Sequence, residues 1–594
     1  MKNLDLNNLF NEKYIDSLGF AFGRLIQRLS GQADPWVALA AALVTRAGAD
    51  GHVCLDLSRT VEEGILSADG QESLAPGTSA AQWRAHLSKC SAVGQPGEFK
   101  PLILNGSRLY LHRFWQYERE LAEGLRRRCR AAAGLKIDSH KREEALARFF
   151  PDAPEQKAAA RLVLTRPFCV ISGGPGTGKT YTLAQIIVLL ARLAAEHAVR
   201  IKIAAPTGKA AARLQESLQA LVPTLAAGDP RPLASAAEAE TVHRLLGIGP
   251  ASTAHYNAEH PLPAEVVIID EASMLDLALM VKLVRAVPER AHLVLTGDKD
   301  QLSSVDAGAV LGDICRGLID DEGSERMPQQ LSAPVALLRK SYRFADRGGI
   351  GALSRAINTG DAGRVMDLLM QDRTGEIGFV PIVSFSEAAA LLAPEILEAY
   401  GPLKKLSDPQ KALDQLKLFK ILTAVRQGPM GVETLNAWIE RFLRRRGLIT
   451  PLPGMSDWYA GRPVMVTRND YFHRLFNGDT GIVLNADRPD TSVEVAFESA
   501  RGVFRRLRPH ELPAHETVYA MTVHKSQGSE FERVVFLLPD RDLPLLTREL
   551  LYTAVTRARQ SVLVVGDPRL LETAVRRRSE RASGLREALS SENS

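Results

Sequence analysis

One eight-residue stretch limits what this chain can fold into. Gly173-Gly174-Pro175-Gly176-Thr177-Gly178-Lys179-Thr180 fits the pattern G-x-x-x-x-G-K-[ST]. Such a loop cradles phosphate only where a buried strand enters it and a helix leaves it. Phe168-Cys169-Val170-Ile171 is a short apolar run that reads as the strand. Leu183, Ile186, Ile187, Leu190 and Leu193 recur at helical spacing after the loop. The glycines let backbone N–H groups turn inward, and the helix N-terminus adds partial positive charge. In that setting Lys179 reaches the β- and γ-phosphates of ATP, and Thr180 ligates Mg²⁺. The same letters nearly fit G-x-G-x-x-G, but Lys-Thr directly after the last glycine favours phosphate. Gln156, upstream, is placed to read the adenine edge with its amide.

From about residue 165 strands and helices alternate, which implies a parallel sheet. Expected strands are 168–172, 200–204, 265–269 and 291–296, with 224–262 as an insertion rich in Pro, Gly, Ala and Ser. A second alternating set begins near 345, with strands at Phe419–Thr423, Val534–Leu538 and Val562–Val565. Within it, 463–467, 481–484 and 493–497 are short strands separated by turn residues, and read as a small β insert. The expectation is two α/β lobes of similar size.

Val266-Val267-Ile268-Ile269 delivers Asp270 and Glu271 at the carboxyl edge of a strand, where ligands bind in open α/β sheets. Asp270 is placed to hold Mg²⁺ and Glu271 to deprotonate water. Leu293–Thr296 leads to Gln301, which either senses the γ-phosphate or is a loop glutamine bonded to backbone. Phosphoryl transfer also needs cations on the transition state. Arg343 and Arg557, from the far side of the chain, are the candidates.

Seven motifs in order resemble superfamily 1 helicases. They are 173–180, Ala205–Lys209, Asp270–Ser273, Gly297–Gln301, Ser341–Phe344, Thr522–Gly528 and Val555–Arg559. Pro206–Ala211, Thr241–Gly247 and His524–Phe531 look closest to the RecD branch, the α subunits of exodeoxyribonuclease V. The resemblance covers about 150–570. It implies two RecA-like lobes, the second (346–594) carrying a small SH3-like insertion near 455–512 and the first (111–345) the insertion near 224–262. It also implies 5′→3′ ATP-driven helicase action on DNA ends, beside RecB and RecC, in double-strand break repair. Its motifs place Thr207, Lys209, His243, Thr522, His524 and Lys525 on DNA. The alternative for His524 is a buried, hydrogen-bonded histidine. The alternative is a regulatory subunit whose ATP site only senses. Free-standing relatives of this branch carry a longer N-terminal extension, so the short lead before the loop suits the complex-bound type.

Residues 1–110 hold mainly helical periodicity and no nucleotide chemistry, and are expected to dock a partner, RecC on this resemblance. Arg126, Arg127, Arg128 and Arg130 form either a solvated face or a nucleic-acid contact. Tyr471, Phe472, His473 and Phe476 either stack on bases or fill the β insert, and Arg505, Arg506 and Arg508 extend the track or face solvent. A net charge of +5 demands no partner by itself. Five scattered cysteines without C-x-x-C suit a reducing cytoplasm, and no apolar run is long enough to span a membrane. Asp152 with Glu155-Gln156-Lys157 is too compact for a nuclease centre, and His510-Glu511 with His515 has Pro513 in the way of a zinc helix.

Overall fold

Apolar runs with no polar face make strands that are covered on both sides, and such runs build the first lobe. The computed structural model describes residues 5–590 apart from 32–33, 68–71, 132–134, 136, 194–198, 226–237, 250–252, 320–333, 345–348, 453–454, 471, 485–492 and 501. The middle of the expected insertion at 224–262, and Tyr471, lie outside the described residues. The first-lobe strands are β1 (Phe168–Gly173), β2 (Ile201–Ala205), β3 (Glu240–Thr241), β4 (Val266–Ile269), β5 (His292–Gly297) and β6 (Val335–Leu338). They form one parallel sheet in the order β6-β1-β5-β4-β2-β3. Alternate residues go to opposite faces. Cys169, Ile171, Ile268 and Val294 pack with Leu183, Ile186 and Ile187 on one side. Phe168, Val170, Val267 and Leu295 pack with Met280 and Leu283 on the other. The register sets Gly297 beside Ser172 and Ile269 beside Leu295, so β1, β4 and β5 end together.

The second lobe repeats the plan with β7 (Ile377–Pro381), β8 (Phe419–Thr423), β14 (Ala520–Thr522), β15 (Phe531–Leu537) and β16 (Ala558–Gly566). The order is β7-β16-β15-β8-β14, again all parallel. Between β8 and β14 the chain makes an antiparallel sheet of β9 (Pro463–Val466), β10 (Thr480–Val483), β11 (Val495–Ala500), β12 (Val503–Leu507) and β13 (His515–Thr517). Its order is β12-β11-β10-β9-β13, and Val464, Val466, Leu475, Val483, Val495, Phe497 and Leu507 fill it. Two of the aromatics weighed for that core are elsewhere. Phe472 is 89% exposed, and Phe476 lies against Gly208 of the first lobe.

The N-terminal region pairs helices Ser17–Ser30 and Pro35–Ala49, the latter buried from Val37 to Val44. Beside them stands a four-stranded sheet of Leu55–Asp56, Arg108–Leu111, Leu102–Asn105 and Val93–Gly94, which helical periodicity did not announce. Helix His112–Arg130 carries the arginine cluster. Arg128 is neither solvated nor open to nucleic acid: it is buried and donates to the carbonyls of Pro288 (2.9 Å), Ala291 (3.3 Å) and Val287, closing the end of helix Leu277–Ala286.

Arg577 and Ser579 still bond to Asp542 and Glu549 of the second lobe, and the chain beyond them runs on to the first lobe and the N-terminal region. Arg581 Nη1 donates to Asp306 O at 2.6 Å, and Val53 N to Ala582 O at 2.8 Å. Glu118 accepts from Ser583 Oγ and Gly584 N, both at 2.9 Å. Leu585 and Leu589 then enter a core shared with Val53, Tyr110 and the first lobe. Among the described residues no helix is long and apolar enough to cross a membrane.

Candidate nucleotide site between the lobes

The phosphate-loop sequence turns sharply because Gly176 (φ +77°) and Gly178 (φ +80°) adopt left-handed backbone. Thr177 Oγ1 donates to Gly174 O at 2.8 Å and braces the turn. Lys179 Nζ donates to Gly173 O (2.5 Å) and Gly174 O (3.1 Å), so the ammonium folds over the loop it will serve. Gln156 is buried beside the loop, its amide donating to Thr177 O at 3.4 Å.

At the tip of β4, Asp270 Oδ1 accepts from Glu271 N at 2.9 Å and from Thr296 Oγ1 at 2.5 Å, which fixes the carboxylate against β5. Burial pushes the Glu271 pKa up and neighbouring Asp270 adds to it, while Lys179, Arg557 and Arg213 pull it down. After β5, the buried Asp298 takes Gln301 Nε2 and Tyr552 OH on its Oδ2, each at 2.9 Å. Gln301 thus binds a carboxylate rather than backbone, and it lines the cavity.

A cavity of about 370 Å³ is lined by 174–181, Asp270, Glu271 and Gln301 from the first lobe, and by Glu530 and Arg557 from the second. Arg343, on the segment joining the lobes, is in its wall too. Arg557 is buried, with Nε donating to Thr553 O (3.1 Å) and Nη1 to Ser529 O (3.2 Å). Burial lowers its pKa while Glu271 and Glu530 raise it. Arg343 Nη2 meets Glu530 Oε1 at 3.0 Å, and its Nη1 is buried without a hydrogen-bond partner among the described residues. Arg213, Asp298, Glu530 and Tyr552 were not singled out as site residues. Arg213 follows Lys209 by one helical turn and Glu530 lies inside the motif 524–531, the two signals that could have found them.

The residues assigned to a DNA track lie outside that cavity wall. Thr207 Oγ1 accepts from Ala210 N (3.2 Å) and Thr522 Oγ1 from Lys525 N (3.3 Å), each starting a helical turn. Lys209 Nζ donates across the cleft to Ser529 Oγ at 2.6 Å, and burial holds its pKa down at about 8. Lys525 pairs with Glu516 at 3.3 Å. His524 is half-buried, and desolvation lowers its pKa. His243 is exposed on the short helix Val242–Leu245. Arg505 Nη1 donates to Arg474 O at 3.0 Å and Arg506 pairs with Glu494 at 3.4 Å.

Three family models match: "RecBCD enzyme subunit RecD, N-terminal domain" at 11–110, "AAA domain" at 156–307 and "UvrD-like helicase C-terminal domain" at 517–565. The chain is 40% identical to the RecBCD enzyme subunit RecD of Mycolicibacterium smegmatis over 94% of this chain and 95% of that one. With the Haemophilus influenzae RecBCD enzyme subunit RecD the identity is 33%, over 82% and 81%. The ATP-dependent RecD2 DNA helicase of Deinococcus radiodurans is 30% identical, over 96% and 72%.

Proposed function

The chain belongs to the RecD family of RecBCD enzyme subunits, and from that premise we infer that it is the ATP-dependent 5′→3′ DNA helicase subunit of such a complex. One observation carries the mechanism. Arg343 and Arg557, both supplied from beyond the first-lobe sheet, wall the same cavity as Lys179, Asp270 and Glu271. Lys179 and the N–H groups of 173–180 hold the β- and γ-phosphates. Glu271, with its raised pKa, takes the proton of the attacking water. Arg343 and Arg557 neutralise charge on the transferring phosphoryl group. Gln301 reports through Asp298 to Tyr552 of the second lobe, and the buried Gln156 offers its carboxamide to adenine.

Among the described residues no three His, Cys, Asp or Glu gather to cage a metal. Thr180 and Asp270 face the same cavity, and one or two protein oxygens suit Mg²⁺, which keeps waters and phosphate oxygens as its other ligands. When bound there, Mg²⁺ supplies positive charge to the phosphates.

We assign Thr207, Lys209, His243, Thr522, His524 and Lys525 to the strand on which the motor moves. Residues 1–110 are the dock for RecC, with RecB as the other subunit of the complex. Leu18, Leu25 and Leu29 leave an exposed apolar stripe on helix Ser17–Ser30 there. The test is ATPase and unwinding on 5′- and 3′-tailed duplexes, with and without RecB and RecC. Lys179→Gln is expected to abolish DNA-stimulated hydrolysis while assembly persists. Unwinding of the 5′-tailed duplex that survives this substitution overturns the motor reading.

A further inference from the structure

Three guanidinium groups converge on one carboxylate at the rim of the nucleotide cavity. Glu530, immediately before β15, accepts Arg213 Nη2 at 2.8 Å and Arg343 Nη2 at 3.0 Å on Oε1. Its Oε2 takes Arg559 Nε at 2.9 Å. Arg213 comes from the first-lobe helix Gly208–Leu225, Arg343 from the segment joining the lobes, and Arg559 from β16. The carboxylate is only 11% exposed. Burial raises its pKa, but Arg213, Arg343 and Arg559 hold it down at about 2.

The three guanidiniums differ in how they meet solvent. Arg213 and Arg559 are 42% and 49% exposed, and Arg559 also reaches Glu532 at 3.6 Å, whereas Arg343 is 25% exposed. Glu530 is the carboxylate that holds Arg343 beside a wall that also includes Lys179, Asp270, Glu271 and Arg557. Arg343 gives Nη2 to Glu530 while its buried Nη1 has no acceptor among the described residues. Leaving such a donor unmatched is unfavourable, and such groups occur where a ligand supplies the missing partner.

We propose that Glu530 is a positioning residue of the ATPase, gripping one edge of the Arg343 guanidinium so that the other edge meets the terminal phosphate of a nucleoside triphosphate. Because Arg213 shares the same carboxylate oxygen, the grip is complete only when the first-lobe helix and the second-lobe strand meet. Glu530 thereby ties placement of the arginine to closure of the lobes. This rests on the reading of the cavity as an ATPase site.

The test is a double-mutant cycle on the full chain with single-stranded DNA, read by single-turnover and steady-state hydrolysis. Glu530→Gln is expected to lower kcat by about tenfold or more with KM for ATP changed less than about threefold, since the loop 173–180 still binds. In an Arg343→Ala background the same substitution is expected to change kcat less than about twofold. Full multiplicative effects in that background, or an unchanged kcat in the single variant, overturn the proposal. Should Glu530→Gln fail to fold, Arg559→Gln removes one of the three clamps from a half-exposed position and takes its place in the cycle, with the same criterion. A wild-type chain that hydrolyses no ATP overturns the ATPase reading itself, whereas an active wild type with independent effects overturns only the role given to Glu530.

Discussion

Glu271 adopts left-handed backbone (φ +51°) at a residue that is not glycine, a conformation worth roughly 1 kcal/mol or more of strain. The bond from its N–H to Asp270 Oδ1 helps hold it there. With its pKa raised by burial and by Asp270, Glu271 should remain protonated above the usual carboxylate range. The acid limb of the ATPase pH profile is expected to lie correspondingly high, and Glu271→Gln to bind nucleotide while losing hydrolysis at every pH. Arg557→Ala should lower kcat by about a thousandfold with little change in KM, measured in the same assay. The loop, Asp270 and Glu271 were legible because each sits in a few contiguous letters after an apolar strand. The Glu530 cluster was not, since Arg213 and Glu530 stand 317 positions apart in the numbering and meet only when the two lobes do.

Among the elements, β1, β2, β4, β5, β8, β15 and β16 were readable as apolar runs, and the short β9, β10 and β11 from the turn residues between them. β6 and β14 were not. β14 has three residues and β6 alternates buried and half-buried positions, so neither carries a distinct pattern. The N-terminal sheet failed for the same reason, with two of its strands only two residues long. The arginine-rich helix misled in another way. Periodicity marks a charged face but cannot say that one guanidinium will cap a neighbouring helix. Arg128→Ala removes the donor from the carbonyls of Val284, Val287, Pro288 and Ala291. It is expected to cost about 3 kcal/mol in urea denaturation, whereas Arg126→Ala, in the same helix, is expected to cost less.

At the level of the molecule, the N-terminal region, the first lobe and the last helix share one core. Deleting 1–110 to test docking would therefore tear Val53, Cys54, Ile103 and Tyr110 from the first lobe. Paired Leu18→Asp and Leu29→Asp substitutions are the cleaner probe, expected to weaken co-purification with partner subunits while ATPase persists. The returning segment also titrates. Burial lifts the Glu118 pKa from 4.5 to about 7, against the hydrogen bonds from Gly584, Ser583 and Tyr110. A carboxyl raised on folding adds stability below its unfolded pKa, and that contribution is lost as pH climbs through the folded value. The chain should lose up to about 3 kcal/mol between pH 4.5 and pH 7 through this group. Glu118→Gln should flatten the corresponding fall in Tm.

Glu118 and Ser583 lie 465 residues apart in sequence. During synthesis, the half of the chain that carries the phosphate loop emerges early but waits, its apolar surface unsealed, until Leu585 and Leu589 clear the ribosome. A nascent chain interrupted anywhere in the second lobe would thus display an open greasy seam to chaperones and proteases.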